Sequence, residues 1–195
     1  MKPRTSATHP LQIAVLDTPT DGRIGMTFCP GKRGESVFGG IWARDLSTDL
    51  KVIKEWGAQA VITLVEDHEF ELLNVTGLGD AVKEHGMEWL HAPIPDLDAP
   101  QKDFETNWMH GDFGDRVRTI LSLGGRVLLH CRGGLGRTGT LAAMLLVEFG
   151  TSPEEAIQLV RQAREHTIET RGQEDYVLDY KPLPWRRTPG HQGSK

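Results

Sequence analysis

The sequence predicts a single α/β domain in which a central, mainly parallel sheet is flanked by helices. Its 195 residues suffice for one core, and 38% apolar with 25% charged residues is typical of a globular protein. Short apolar segments alternate with amphipathic segments of helical period, as in α/β domains. Residues 60–65 are apolar except for Thr63, which is typical of a buried parallel strand.

In the first half of the chain, apolar runs predict strands and segments of helical period predict helices. The predicted order is strand 11–16, strand 24–28, a helix from Ser47 that ends by Gly57, strand 60–65, helix 78–85 and strand 88–94. The turn-prone residues 18–22 separate the first two strands. Residues 30–34 predict a loop whose basic residues, Lys32 and Arg33, face either an anion or water, and of the two we expect water.

The second half continues the alternation of helices and strands. The predicted order is one amphipathic helix over 104–121 loosened by Gly111 and Gly114, strand 126–129, a buried helix over 141–149, a helix after the capping sequence 152–155, and a last helix over 173–180. We therefore place the domain at 11–180, between an N-terminal tail at 1–10 and a C-terminal tail at 181–195, in which Trp185 is a candidate anchor.

Composition excludes several classes of protein. The net charge of −5, from 22 basic and 27 acidic residues, argues against nucleic-acid binding through overall charge. No apolar run reaches the length of a membrane span, and residues 1–6 lack the apolar core of a signal peptide, so we expect a cytoplasmic protein. The two cysteines, Cys29 and Cys131, do not form a disulfide framework. Nothing in the sequence indicates an oligomeric state.

Residues 130–139, with the sequence HCRGGLGRTG, carry the strongest chemical signal. Cys131 and Arg137 are separated by five residues, three of them glycine, between an apolar strand and a helix-forming segment. Such a turn points backbone N–H groups inward, which suits a tetrahedral oxyanion and favours a thiolate at Cys131. Arg137 adds a planar, bidentate cation. A cysteine after an apolar strand is often only a core residue, but that interpretation leaves Arg137 without an anionic partner.

This segment resembles the signature of the Cys-x5-Arg protein phosphatases, and its form is similar to the kinase-associated branch of the dual-specificity group. The resemblance covers most of residues 40–180. It implies that Cys131 forms a cysteinyl-phosphate, that Arg137 and the loop hold the phosphoryl oxygens, that Thr138 stabilises the leaving thiolate and that His130 fixes the loop. The implied substrate-binding loop residues are Arg132, Gly133, Gly134, Leu135 and Gly136.

Hydrolysis also requires a proton donor for the leaving oxygen, which one carboxylic acid on a loop can supply. The resemblance favours Asp96, with Asp98 as second and Asp103 as third candidate. It also implies that Gln173 orients the hydrolytic water, although Gln173 equally fits a solvated helix start. Residues 66–69, EDHE, are interpreted as a polar helix start because no second cluster with metal-ligand spacing accompanies them. No metal or cofactor is inferred.

The resemblance therefore implies a phosphatase of phosphotyrosine, and of phosphoserine or phosphothreonine in addition, whose partner is a phosphorylated protein. The alternatives are a phosphatase of phosphoinositides or RNA 5′ ends, and a non-catalytic phosphate-binding module. Lipid phosphatases of this superfamily tend to carry two basic loop residues, whereas this chain has Arg132 at one such position and Leu135 at the other. The intact Cys131 and Arg137 argue against the non-catalytic alternative.

Overall fold

The computed structural model describes residues 2–36 and 39–182, and it has the predicted α/β architecture. The strands of the described residues are β1 (Ala14–Asp17), β2 (Arg23–Phe28), β3 (Arg33–Glu35), β4 (Ile41–Ala43), β5 (Ala60–Thr63), β6 (Glu88–His91) and β7 (Arg126–Cys131). The central sheet has five strands in the order β1-β2-β7-β5-β6. Strand β1 is antiparallel to β2, and every other neighbouring pair is parallel. The sheet is therefore mixed and mainly parallel, as predicted.

Helices cover both faces of this sheet. They are α1 (Leu46–Trp56), α2 (Asp67–Leu72), α3 (Leu78–Glu84), α4 (Lys102–His110), α5 (Asp112–Ser122), α6 (Gly136–Glu148), α7 (Pro153–Ala163) and α8 (Arg171–Asp179). Successive strand residues point to opposite faces, so Val61 and Leu128 pack towards α1 and α3, whereas Ile62 and Leu129 pack towards the helices from α4 onwards. No helix of the described residues is long and apolar enough to cross a membrane.

The single helix predicted over 104–121 is wrong, because the structure has two helices there. The chain becomes extended at Gly111, with φ −97° and ψ 166°, and α5 begins at the next residue. Gly114 then lies so close to α4 that an added Cβ would be 2.0 Å from the carbonyl oxygen of Trp108. The two glycines therefore do more than loosen one helix: they separate two helices and let them pack closely.

The loop predicted over 30–34 is partly wrong. Residue Arg33 begins β3, which pairs with β4 in a short antiparallel hairpin that the sequence did not predict. Arg33 is exposed as expected, but Lys32 is only 8% exposed. The expectation that both basic residues face water therefore fails at Lys32, whose side chain lies inside the molecule.

The parallel strands end at one edge of the sheet, which is where open α/β sheets bind ligands. Residues 132–135 connect β7 to α6 at this edge, and α6 begins at Gly136, five residues earlier than the predicted start at 141. The described residues end at 182, so most of the predicted C-terminal tail, including Trp185, lies outside them.

Candidate active site

The loop after β7 folds around the sulfur of Cys131. Cys131 is the last residue of β7 and is buried, and the backbone N–H of Gly134 donates to its Sγ at 3.2 Å. Gly134 has a φ of +71°, and a Cβ there would lie 2.3 Å from the carbonyl oxygen of Thr27 on β2. Only glycine fits this position without displacing β2. The close approach aims the Gly134 amide at Cys131, and such donors favour a thiolate.

Arg137 is buried in the first turn of α6 and is held by two carboxylates. Glu69 of α2 accepts from Nη1 at 2.5 Å and from Nη2 at 2.9 Å, in a bidentate pair. Asp96 Oδ1 lies 2.9 Å from Nη2. Burial is the largest single influence and disfavours the charged guanidinium, but the hydrogen bonds to Glu69 and the charges of Cys131, Glu69 and Asp96 together hold the pKa of Arg137 above its usual value. The guanidinium therefore has a fixed orientation.

Glu69 is the main site residue that sequence reasoning missed. Its position in a polar helix start is confirmed, because α2 begins at Asp67 with Glu66 and Glu69 in a capping box. Burial raises the pKa of Glu69, but hydrogen bonds from Arg137 and from the Glu66 amide lower it more, so the net shift is downwards. The available signal was the need of a buried Arg137 for an anionic partner.

The structure brings Asp96, among the three candidate acids, to the cavity of Cys131 and Arg137. That cavity has a volume of about 630 Å³, and the Asp96 side chain is 48% exposed at its edge. Asp98 instead accepts from the Ala99 amide and the Gln101 side chain, and it does not line the cavity. Asp103 lies on α4 and lines a different cavity.

Gln173 is fully buried and connects the loop of the candidate acids to α8. Its Oε1 accepts from the Glu169 and Thr170 amides, and its Nε2 donates to the Asp98 carbonyl oxygen at 3.0 Å. The expectation of a solvated residue is therefore wrong, whereas its role towards water stays a prediction. Glu169 is a second missed residue, because its carboxylate accepts from the Gly136 amide at 2.7 Å, within the predicted anion loop.

His130 and Thr138 are both fully buried beside the loop. Burial lowers the pKa of His130 to about 3, so its ring is neutral at physiological pH, and its Nε2 lies 2.8 Å from Thr63 Oγ1. The Thr138 hydroxyl has no hydrogen-bond partner among the described residues. Its contact with the Cys131 sulfur is therefore not formed in this structure, and its role stays a prediction.

Several basic side chains surround the same cavity. Arg164 lines it and donates to the carbonyl oxygens of Gly134 at 2.7 Å and Gly133 at 3.2 Å, which holds this segment of the loop in place. Lys32 donates to the carbonyl oxygen of Arg132 at 3.1 Å. Among the described residues, no three His, Cys, Asp or Glu side chains are arranged to hold a metal ion.

The fold is that of the protein tyrosine and dual-specificity phosphatases. Residues 36–151, more than half of the chain, match the family described as "Polymorphic toxin system, DSP-PTPase phosphatase". The chain therefore belongs to the DSP-PTPase phosphatase family, which confirms the predicted resemblance, and it is a hydrolase.

Named relatives agree with this family. The chain is 29% identical to cyclin-dependent kinase inhibitor 3 of Mus musculus over 160 residues, covering 81% of this chain and 71% of the relative. It is 29% identical to protein tyrosine phosphatase type IVA 3 of Homo sapiens over 137 residues, covering 70% and 72%. The crystal structure of kinase-associated phosphatase with its catalytic-site cysteine replaced by serine is similar with a TM-score of 0.74, at 26% identity over 86% of this chain and 92% of that one.

Proposed function

We propose that this chain dephosphorylates phosphotyrosine, and phosphoserine or phosphothreonine in addition, in proteins through a cysteinyl-phosphate intermediate. The observation that carries the proposal is the convergence of three groups in one cavity: the Cys131 thiol, the Arg137 guanidinium and the Asp96 carboxyl group. The similarity to chains named protein tyrosine phosphatase and kinase-associated phosphatase supports a protein substrate.

In the first step, the Cys131 thiolate attacks the phosphorus and the bond from phosphorus to the leaving oxygen breaks. The loop amides and the Arg137 guanidinium stabilise the charge on the equatorial oxygens. Protonated Asp96 gives its proton to the leaving oxygen, so that a neutral tyrosine, serine or threonine hydroxyl departs. Half exposure suits Asp96 for this step, because it must reach the substrate and later water.

In the second step, a water molecule attacks the cysteinyl-phosphate. The Asp96 carboxylate accepts a proton from this water, the bond between sulfur and phosphorus breaks, and inorganic phosphate leaves with the Cys131 thiolate restored. The Thr138 hydroxyl can stabilise that thiolate after rotation about its Cα–Cβ bond. The Gly134 amide already donates to Sγ in this structure.

The experiment is a phosphopeptide panel on the wild type and on Cys131→Ser. We expect Cys131→Ser to abolish phosphate release while it still binds phosphopeptides, because the loop amides and Arg137 remain. Cys29→Ala is the matched control, since Cys29 is the other buried cysteine and contributes no group to the cavity. Phosphate release by Cys131→Ser at the wild-type rate would contradict the mechanism.

A second candidate function is the hydrolysis of a non-protein phosphate, and the basic side chains that line the cavity favour it. The same panel includes an inositol phospholipid and an RNA with a 5′ phosphate. If either substrate has a higher kcat/KM than every phosphopeptide, the proposed substrate class becomes that of the better substrate instead of phosphoproteins.

A further inference from the structure

The cavity beside Cys131 contains basic side chains that form no ion pair. Lys32, Arg132 and Arg164 line it together with Glu35, Asp96 and Glu169, and none of the three cations has an acidic group within 4.0 Å among the residues that the structure describes. Arg137, by contrast, is paired with Glu69 and Asp96. Although the chain has a net charge of −5, three unpaired cations therefore lie beside the loop that connects β7 to α6.

Lys32 is the most buried of the three and lies against the phosphate loop. Its Nζ lies 4.6 Å from the ring centre of Phe28 and 4.7 Å from that of Trp42, and it donates to the Arg132 carbonyl oxygen at 3.1 Å. Arg132 directly follows Cys131, so the Lys32 ammonium group lies at the start of the loop of residues 132–135 that connects β7 to α6. An ammonium has three donors, and that carbonyl is its one acceptor in the described part of the chain.

Such a placement is unfavourable without a ligand. A cation that is 8% exposed loses most of its hydration, and the two aromatic rings return only part of that loss. Accordingly, burial lowers the pKa of Lys32 to about 8; the nearby Cys29 and Cys131 raise it, and Arg44 and Arg132 lower it. The ammonium remains charged at neutral pH, and an oxyanion in the cavity would supply the missing acceptor.

Arg132 provides the second part of the arrangement. Its side chain is half-buried and lines the cavity, and it forms no hydrogen bond or ion pair with any described residue. It is thus available to a ligand. The wall next to it is apolar, formed by Phe28, Trp42 and Leu135, which suits the body of an amino-acid side chain better than a fully hydroxylated ring.

We propose that Lys32 and Arg132 form a second anion subsite, which binds an acidic or phosphorylated side chain next to the scissile phosphoresidue of a protein substrate. The proposal rests on the proposed function, because it deepens the substrate class of the same site. Carboxylate and phosphate share the chemistry that a lysine and an arginine recognise.

The test is peptide binding to Cys131→Ser, which separates recognition from catalysis. Three phosphotyrosine peptides differ only in the next residue, which is Asn, Asp or phosphoserine. We expect the Asp peptide to bind about tenfold more tightly than the Asn peptide, as for one charge-assisted hydrogen bond, and the phosphoserine peptide to bind more tightly still. Equal dissociation constants for the three peptides would overturn the subsite.

Variants at position 32 test whether Lys32 causes the difference in affinity between the Asn and Asp peptides. In the Cys131→Ser background, Lys32→Met should bring the ratio of the dissociation constants of the Asn and Asp peptides close to one, whereas Lys32→Arg should keep the ratio of about ten. Lys51→Met on α1, an exposed lysine far from the cavity, is the matched control and should keep the full ratio. Because the ratio compares two peptides on one protein, a general loss of affinity cancels. A full ratio in Lys32→Met would overturn the role of Lys32.

The pH dependence gives an independent readout. The Asp carboxylate stays ionised between pH 6.5 and 9.5, and burial holds the pKa of Cys29 above its usual value, so that neighbour stays a neutral thiol. Arg44 and Arg132, the cations that face Lys32, stay charged throughout. Replacing Cys131 removes one group that raises the pKa of Lys32, so the ratio should be large at pH 6.5, fall by about pH 8 with Lys32, and stay constant in Lys32→Arg. A constant ratio with Lys32 would contradict the proposal.

Two further outcomes separate this subsite from the proposed function. If Cys131→Ser binds the Asp peptide more tightly than the Asn peptide but the wild type releases no phosphate, the subsite is supported and the proposed hydrolysis is rejected. Tighter binding of a soluble inositol trisphosphate than of the phosphoserine peptide would assign the second anion to a non-protein ligand and overturn the peptide assignment.

Discussion

The pair formed by Glu69 and Arg137 gives the sharpest test of how the site is held. In Glu69→Gln, the amide oxygen can still accept from one guanidinium N–H. The amide NH₂ faces the second guanidinium N–H, so two donors meet there. Position 69 also no longer carries a negative charge. Both side chains are almost fully buried, at 3% and 1% exposed, so water cannot replace the lost acceptor. We chose Gln because its shape preserves the packing of α2.

The magnitude follows from burial. Removing one partner of a buried ion pair costs about 3–5 kcal/mol, and Asp96 still neutralises Nη2 in this variant. We therefore expect the lower end, a loss of about 3 kcal/mol in the free energy of unfolding. A guanidinium that loses the bidentate carboxylate and keeps Asp96 and the Ile94 carbonyl oxygen as close partners is oriented less precisely, and kcat/KM should fall about 100-fold, as for other misplaced positioning groups.

The assay combines denaturant unfolding with turnover of an aryl phosphate. Glu71→Gln is the matched control, because Glu71 is exposed on the same helix, and it should change neither quantity. Since the pKa of Glu69 is lowered in the folded protein, its stabilisation is present above the unfolded value near 4.3 and is lost as pH falls through the folded one. The difference between wild type and Glu69→Gln should thus be full at pH 7 and shrink in acid. Equal unfolding midpoints and equal kcat/KM at pH 7 would refute the reasoning.

Two further predictions concern the acid and the loop. Asp96→Asn should lower kcat on alkyl phosphates by about 100-fold or more and flatten the fall of activity at alkaline pH. Asp98→Asn should leave both kcat and the pH profile unchanged. The reverse result would assign the general acid to Asp98. Gly134→Ala should destabilise the fold by about 2 kcal/mol or more and abolish turnover, because its Cβ would meet the Thr27 carbonyl oxygen at 2.3 Å. Gly34→Ala, which also has a positive φ but meets nothing within 4 Å, should cost about 1–2 kcal/mol from backbone strain and keep its activity; loss of activity in both variants would refute the close approach as the cause.

The parts of the site that the sequence predicts are those that are local in the chain. Cys131, Arg137 and the glycines lie within one loop, and the strand before and the helix after it have clear hydrophobic patterns. The contact of Glu69 with Arg137 spans 68 residues, and only the order of strands β7 and β5 brings the two together. No local pattern encodes that pairing.

The errors have the same origin. A continuous hydrophobic period predicted one helix over 104–121, because the extended backbone at Gly111 leaves no mark in the periodicity. Lys32 was expected in water because lysines in loops are usually solvated. Its burial depends on Trp42, which only the hairpin of β3 and β4 brings over its ammonium group.

The charges in the cavity divide into two sets with different tasks. Asp96 occupies the same guanidinium nitrogen, Nη2 of Arg137, that a phosphoryl oxygen needs for a bidentate contact. Under the proposed mechanism, we expect an arriving phosphate to displace Asp96 from Arg137, which frees its carboxyl group to move towards the leaving oxygen. Since Glu69 already neutralises Arg137, the long-range attraction for the substrate must come from the unpaired cations and the loop amides. In the proposed mechanism, Lys32, Arg132 and Arg164 thus attract the anion, and Arg137 orients it for attack by Cys131.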